Sequence, residues 1–589
     1  MDTRKNILAV AATLICAVSF AQNNINPTVE VTNTYQGDPS EVHKPQIGMA
    51  IPDSLLRFDM DFGYEVFEKP YQGAYNFKPY MLAMRPDKNA YRGKELYLRA
   101  GAGYSLHPQL DFVYSPEING PFEMSVFAGH RSYFGKYNSL EAEMEDGRYK
   151  VDKLPKHSFG GYDAKSSVGV EGRYNFGKAI FSFGAAYDGV MAKDTLFKRS
   201  LNAVDLNARI RSNRDDEKYV FYDIGISGRI GGDSWAGNKL SESFVTLEGE
   251  AGPVFDATSA ALLGFEAQTC SYGNYFQTNA GRLALIPKYR LSYGKLDMSL
   301  GVRVEVLLKG KVGENVGENR AMFQNKGGVV FPDVHIRYNA TDKLNLFAEA
   351  TGGNKLNTYS SIISRHHFIN PVNMMTPILD NSVEKVNARI GFEGNAAQKL
   401  QIGVSGGFAL IGNGLMDCGL GVANQSVYSM PIRPEAFLPT VSYADYSMIY
   451  ADALVDYKAG DFRFDGALHL RKTTFKYDAD FGLALPRVSY DARAMYDFTT
   501  RIYAGVRVSG AGARLGRCRR LPYQVEDSAL AYDVKVPGWF DFGILGGWQF
   551  NRKIGFWLES GNLLCESIQR SPFYSEKDLW ITAGITLNL

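Results

Sequence analysis

The sequence predicts an all-β protein whose main part is a transmembrane antiparallel barrel of about 22 strands. Two observations point to it. Apolar and polar residues alternate in segments long enough to cross the hydrocarbon layer of a membrane, and short and long connections between those segments also alternate. No stretch beyond the amino terminus reaches the roughly 18 consecutive apolar residues of a membrane helix. The sequence therefore favours strands over helices as the membrane-crossing elements.

The amino terminus has the pattern of a cleaved export signal. Arg4 and Lys5 precede an apolar run from Ile7 to Val18, and Ala21 ends a short stretch suited to signal peptidase. Residues 1–21 are therefore predicted to be a signal peptide that is absent from the mature fold. Export is consistent with a location in the outer membrane of a Gram-negative bacterium.

The alternation gives each predicted strand two unlike faces. In 296–306, Val302 belongs to a wholly apolar face and Arg303 to a polar one. An Arg or Lys facing lipid near the midplane costs about 2–4 kcal/mol, so the charged face should line the lumen. The same pattern recurs in 168–176, 386–393 and 579–589.

The connections support the barrel independently. Bacterial barrels have short periplasmic turns, long extracellular loops and both termini in the periplasm. Counting strands from residue 94 to Leu589 places every long link on the side opposite the carboxyl terminus. A series of soluble β-sandwiches would not require this alternation. The long links are 132–164, 308–327, 353–384, 412–441, 512–537 and 564–577.

Residues 22–93 differ from the barrel because prolines interrupt them and disfavour regular strand pairing. We expect an extended segment that stays in the periplasm or enters the lumen. Its aromatic residues Tyr64, Phe67 and Tyr71 are candidates either for docking against the inner barrel wall or for recognising a partner.

Several segments resemble one family. The stretch 331–338, FPDVHIRY, with 344–354, LNLFAEATGGN, is similar to a barrel hairpin of TonB-dependent receptors of the Bacteroidetes type. The ending from Asn562 through a loop to the terminal strand is similar too. Thr28, Val29, Glu30, Val31 and Thr32 resemble the TonB box, which would pair as an added strand with TonB. The resemblance implies an outer membrane uptake channel.

Two features depart from that family. Residues 22–93 are shorter than its folded plug, although a wide barrel usually needs something to fill it, and Leu589 stands where the family usually has an aromatic residue. A non-transporting structural or assembly subunit of an outer membrane complex therefore stays open beside a barrel that binds or passes a ligand at the cell surface. The expected partners are outer membrane lipid and either TonB or another periplasmic or outer membrane protein.

Two groups in the predicted loops are candidate ligand or partner contacts. Arg514, Arg517, Arg519 and Arg520 could bind phosphates or an acidic ligand, or form a solvated loop face. His366 and His367 could contact a ligand or pack within their loop. Adjacent residues on an extended chain point apart, which disfavours joint ligation of one metal.

We expect no enzyme activity, cofactor or metal site. Ser405 fits G-x-S-x-G but lies within an alternating strand, whereas a nucleophile elbow needs a strand-to-helix turn. A net charge of +1 gives no general attraction to nucleic acid. Cys270, Cys418, Cys518 and Cys565 allow three disulfide connectivities, among which the sequence does not choose.

Overall fold

The computed structural model describes most of the chain from Glu95 onward. The described ranges are 95–104, 106–118, 120–194, 198–213, 219–235, 237–256, 258–309, 322–369, 378–397, 399–422, 436–477, 481–520, 531–576 and 578–589. The predicted signal peptide, the TonB-box-like stretch 28–32 and the aromatic residues Tyr64, Phe67 and Tyr71 lie outside these ranges, so their roles stay predictions.

The described residues form 25 strands and one short helix. The strands are β1 Leu96–Tyr104, β2 Gln109–Tyr114, β3 Phe122–Glu145, β4 Arg148–Asn175, β5 Ala179–Lys193, β6 Lys198–Ser212, β7 Tyr219–Trp235, β8 Asn238–Val254, β9 Ser259–Asn274, β10 Thr278–Tyr293, β11 Leu296–Leu308, β12 Val330–Thr341, β13 Leu344–Leu356, β14 Asn381–Ala397, β15 Leu400–Val422, β16 Ala436–Ala459, β17 Phe462–Phe475, β18 Gly482–Leu483, β19 Val488–Asp497, β20 Ile502–Ala511, β21 Arg514–Arg520, β22 Ala531–Val536, β23 Trp539–Gln549, β24 Ile554–Gly561 and β25 Trp580–Asn588. Helix α1 spans Tyr359–Ile363. No helix in these ranges has the length and apolarity that crossing a bilayer requires.

A closed antiparallel barrel of 22 strands accounts for most of the sheet. β17 pairs directly with β19 and β20 directly with β23, so β18, β21 and β22 stand outside the ring. β1 closes the ring by pairing with β25, with Tyr97 opposite Asn588. Closure leaves no unpaired sheet edge in the hydrocarbon layer, where such an edge would be costly. The predicted fold and strand number are confirmed.

The two faces of the strands have the predicted environments. On β11, Val302 is 46 % exposed on the outside of the barrel, whereas Arg303 is 4 % exposed on the inside. Arg303 donates to Glu266 at 2.9 Å and to Glu305 at 3.0 Å. Opposite charges thus neutralise one another along the lumen, and the outer surface keeps its apolar side chains for lipid.

The connections on the side of the termini are short, as at 176–178 and 294–295. On the other side, the prediction of a long loop over 132–164 is wrong. β3 and β4 continue as a paired hairpin to a two-residue turn, Asp146-Gly147, with φ of 52° and 76°. These angles suit a type I′ turn, and Asp-Gly is a usual sequence for it. Part of the predicted 512–537 loop is likewise a hairpin, β21–β22.

The height of the barrel wall is uneven. β3 and β4 have 24 and 28 residues, and β15 and β16 have 23 and 24. β1 and β24 have only 9 and 8 residues, no more than the roughly 9–11 that a bilayer crossing requires. The long strands therefore project beyond the membrane and offer backbone to pair with the segments between them.

Candidate functional site at the outer mouth of the barrel

Three segments cover the outer mouth, and we call them together the roof. They are the described parts of the loop between β13 and β14, 357–369 and 378–380, the β21–β22 hairpin with β18, and the described parts of the loop before β25, 562–576 and 578–579. All three connect strand ends on the side opposite Leu589. Any ligand that enters the lumen from the cell surface must pass them.

A row of paired strands carries the hairpin across the mouth. β21 pairs in parallel with the extension of β15, with Leu420 opposite Arg519, and β22 pairs in parallel with β4, with Val534 opposite Tyr149. β4 is the fourth and β15 the fifteenth member of a ring of 22, so the row joins opposite walls. The hairpin buries an apolar cluster formed by Ala142, Val151, Cys418, Phe437, Leu483, Cys518, Val534, Val536 and Phe573. We call this row the strand bridge.

Helix α1 anchors the described segment 357–369 of the loop between β13 and β14. The Thr358 hydroxyl caps the helix by accepting from the Ser361 backbone N–H at 3.3 Å. Tyr359, Ile362 and Ile363 are almost fully buried and pack in a cluster with side chains from the wall. A helix of five residues has little stability alone, so this packing holds it.

A buried ion pair ties the same loop to the wall. Arg199, on β6, is fully buried and donates to Asp233 at 2.9 Å. It also donates to the carbonyl oxygens of His367 and of Ile369, the latter at 2.8 Å. Charge-assisted hydrogen bonds of this kind are strong, and loss of one partner leaves the other charge buried.

Asp417, on β15, connects two of the three roof segments to the wall. It accepts from Arg365 of the loop at 2.8 Å and from Arg514 of the hairpin at 2.9 Å. Of the four predicted arginines, Arg514 is therefore buried in this pair, and Arg517 pairs with Asp533 at 3.0 Å on the exposed side. The backbones of Arg519 and Arg520 lie in β21 beside β15, and their side chains lie outside the described part. A phosphate would have to compete with Asp417 or Asp533 for the two described arginines.

The two predicted histidines point to different partners. His367 Nδ1 lies 2.6 Å from an Asp163 oxygen, whereas the His366 ring packs against Tyr574 at 4.8 Å between centroids. Burial, and to a lesser extent the neighbouring His367, lowers the pKa of His366 to about 3. Both side chains thus take part in loop packing, and ligand contact by either one stays a prediction.

Sequence reasoning missed the role of the carboxyl-terminal loop. Tyr574 stacks on Phe368 at 4.0 Å and contacts Tyr137 at 5.4 Å, which joins two roof segments to β3. Arg570 donates to Asp541 at 2.6 Å and lies 4.4 Å from the Trp539 ring. The signal that could have found this loop is the pair Phe573-Tyr574, since adjacent aromatics in a polar loop usually pack.

Below the roof, the wall formed by the short strands near β1 and β24 holds a pocket lined in part by Arg99, Arg493 and Arg507. Arg493 stands directly opposite Arg507 on β19 and β20, and Arg99 lies 4.0 Å from the Trp557 ring beside Glu559. Like charges placed opposite each other are unfavourable unless something offsets them. Here each arginine has a carboxylate partner: Arg99 pairs with Glu559, Arg493 with Asp465 at 3.1 Å, and Arg507 with Asp541 at 3.7 Å. Among the described residues, no group of three or more His, Cys, Asp or Glu is placed to hold a metal ion.

No family model and no curated protein matches the sequence. Solved structures do match its fold. The copper transporter OprC is 11 % identical with a TM-score of 0.58, over 84 % of this chain and 80 % of that one. The FrpB iron transporter of Neisseria meningitidis is 10 % identical with a TM-score of 0.58, over 84 % and 81 %. The siderophore receptor PiuA of Acinetobacter baumannii is 7 % identical with a TM-score of 0.56, over 84 % and 82 %. This chain therefore has the barrel fold of TonB-dependent outer membrane receptors.

Proposed function

We propose that this protein is an outer membrane receptor that binds a ligand at the roof and passes it through the lumen when the roof moves. The observation that carries the proposal is the strand bridge, which crosses the outer mouth of the barrel from β15 to β4. A barrel whose outer mouth is obstructed by the strand bridge and whose lumen is lined by charges is suited to gated passage, not to free diffusion.

The force that moves the roof or a filler would come from TonB through residues 28–32. Support for this step is the sequence resemblance and the shared barrel fold. A short alternating segment can add as a strand to a partner sheet, where backbone hydrogen bonds supply the affinity. The proteins with similar folds include a copper transporter, an iron transporter and a siderophore receptor.

A non-transporting subunit of an outer membrane complex is the second candidate. The observation that favours it is the way the roof is fastened, with Arg199 and Asp233 fully buried and Asp417 shared by two arginines. Breaking such pairs is costly, so the roof could be a permanent closure. The barrel would then present its outer face to partner proteins.

The test is permeability of the mature protein in liposomes. We would replace 514–536 by a short glycine–serine linker, which removes the β21–β22 hairpin and leaves the β20–β23 pairing intact. The intact protein should not admit neutral sugars or small anions, and the variant should admit both. Arg517→Ala is the matched control on the same hairpin, because its exposed pair with Asp533 contributes little.

A variant that folds but stays impermeable even when 22–80 is also deleted would show that the lumen is not a path and would favour the structural subunit. The proteins that copurify from native outer membranes give a second readout. TonB among them supports transport, whereas a stable complex without TonB supports assembly.

A further inference from the structure

Two of the cysteines meet where the strand bridge joins the wall. Cys418 lies in the extension of β15 and Cys518 in β21, and they are 1 % and 0 % exposed. The Gly419 backbone N–H donates to the Cys518 sulfur at 3.3 Å, and the Cys418 sulfur lies 4.0 Å from the Arg517 carbonyl oxygen. The two thiols also interact with each other directly. Each sulfur thus lies against the backbone of the other strand.

The other two cysteines have different surroundings. Cys270 is buried in the cluster that includes α1, whereas Cys418 and Cys518 share the cluster of the strand bridge. Cys565 is exposed in the loop 562–579. Among the possible cysteine pairs, the contacts therefore single out Cys418 with Cys518.

We propose that Cys418 and Cys518 form a disulfide that fastens the β21–β22 hairpin to β15. Both are free thiols in the structure. The bond would form by thiol–disulfide exchange with the disulfide of a periplasmic thiol oxidoreductase. One cysteine thiolate attacks that disulfide and releases one thiol, and the second cysteine thiolate then displaces the other. The two cysteines lose two electrons and two protons, and the oxidant gains them as two thiols.

The order of events follows from burial. Burial raises the pKa of Cys518, which keeps its reactive thiolate scarce in the finished fold. Exchange must therefore occur while the hairpin is still open, before β21 joins β15. Once closed, the bond is protected from reductants, and oxidising compartments such as the periplasm allow it to persist.

The disulfide would make the two ends of the strand bridge unequal. The β15 end becomes covalent, whereas the β4 end keeps two residue pairs and an exposed Lys535–Glu145 contact at 3.7 Å. Exposed ion pairs contribute little, so the hairpin would open from the β4 side and hinge at β15. This hinge rests on the proposed gating function, whereas the disulfide itself does not.

The experiment uses full-length protein from native outer membranes. It is denatured without reductant, alkylated with N-ethylmaleimide, digested and analysed by mass spectrometry. We expect alkylated Cys270 and Cys565, and a linked peptide pair from Cys418 and Cys518 that is two hydrogens lighter than its separate parts. Reduction before alkylation should label all four cysteines.

The controls are single serine variants. Cys418→Ser should leave Cys518 alkylated without reductant, and Cys518→Ser should do the same for Cys418, whereas Cys565→Ser should leave the linked pair intact. Alkylation of both Cys418 and Cys518 in unreduced native protein, or a bond from either one to Cys270 or Cys565, would overturn the inference. Neither result depends on whether the barrel without the β21–β22 hairpin is permeable, so the two proposals can fail separately.

Discussion

At the scale of the residue, position on a strand decides which solvent a side chain meets. Val302 and Arg303 are neighbours in sequence, yet one faces lipid and the other joins Glu266 and Glu305 in the lumen. The alternation in sequence predicted this division. It could not predict the partners, because they come from strands whose register only the closed barrel fixes.

Val302→Arg should destabilise the barrel by about 2–4 kcal/mol if the position lies near the midplane, since the guanidinium would enter hydrocarbon. Urea unfolding in lipid, followed by gel mobility of the folded form, measures this. Arg303→Ala is the control. Glu305 keeps Arg282 at 3.0 Å and the Asn354 amide at 2.7 Å, so assembly should survive. Equal tolerance of both changes would contradict two unlike faces.

His366 gives the roof a dependence on pH. Its pKa in the folded state is lowered to about 3, against about 6.5 in an unfolded chain, so the native roof favours the neutral ring. The stabilisation that the neutral His366 ring contributes to the folded roof is complete above about pH 6.5 and is lost as the pH falls toward 3. The charged or titratable groups that act on it are His367, Asp163, Asp417 and Arg199.

Hydrogen exchange in 357–369, corrected for intrinsic rates, should therefore show less protection at pH 5 than at pH 7.5. His366→Phe keeps an aromatic ring against Tyr574 without a titrating group, so this part of the acid sensitivity should disappear. Unchanged sensitivity in the variant would assign it to other groups.

At the scale of the element, the roof segments depend on the wall for their structure. Helix α1 is held by burial and by Arg199. Arg199→Met should lower the stability of the docked loop by about 3–5 kcal/mol, because Asp233 would remain buried with its ion pair lost. Tyr359 would still donate to Asp233, which places the effect toward the lower figure.

Arg209→Met is the matched control, because Arg209 also pairs with an aspartate, Asp223, but is largely exposed at 58 %. Its loss should cost about 0–1 kcal/mol. Protease sensitivity of 357–369 and urea unfolding would be compared for both variants. Similar results for the two would show that burial of the Arg199 pair does not hold the loop.

The elements also show where sequence reasoning stops. Period-2 alternation located the membrane-crossing strands, because lipid and lumen impose opposite chemistry on alternate residues. Above the membrane that contrast weakens, so the sequence pattern favours a loop where the structure has the extensions of β3 and β4. The residues Asp146-Gly147 nevertheless mark a hairpin turn there. The strand bridge joins β4 to β15 by two pairs at each end, and such distant contacts leave no local pattern.

At the scale of the whole molecule, the described barrel is complete without the residues that precede it. β1 pairs with β25, and the Leu589 N–H donates to the Leu96 carbonyl oxygen at 2.9 Å, which seals the ring at the periplasmic end. Closure depends on backbone pairing within 95–589. The roof covers the outer mouth, so any filler supplied by 22–93 would act from the opposite end.

Deleting 22–80 while keeping the signal peptide should therefore leave a barrel that inserts in the outer membrane, because none of its described strand pairs involves the deleted residues. If the segment docks in the lumen through Tyr64, Phe67 and Tyr71, the truncated barrel that also lacks the β21–β22 hairpin should conduct more in a planar bilayer than the full-length chain that lacks only the hairpin, since two obstructions are then gone. Should the segment instead recognise a partner, conductance would match and a protein that copurifies with the full-length chain would be missing.

The triple change of those aromatics to Ala is the matched control, because it keeps chain length and should reproduce whichever effect the deletion has. Equal conductance and an unchanged set of copurifying proteins would show that 22–80 is only a tether, and the expectation of a role for its aromatic residues would then be wrong.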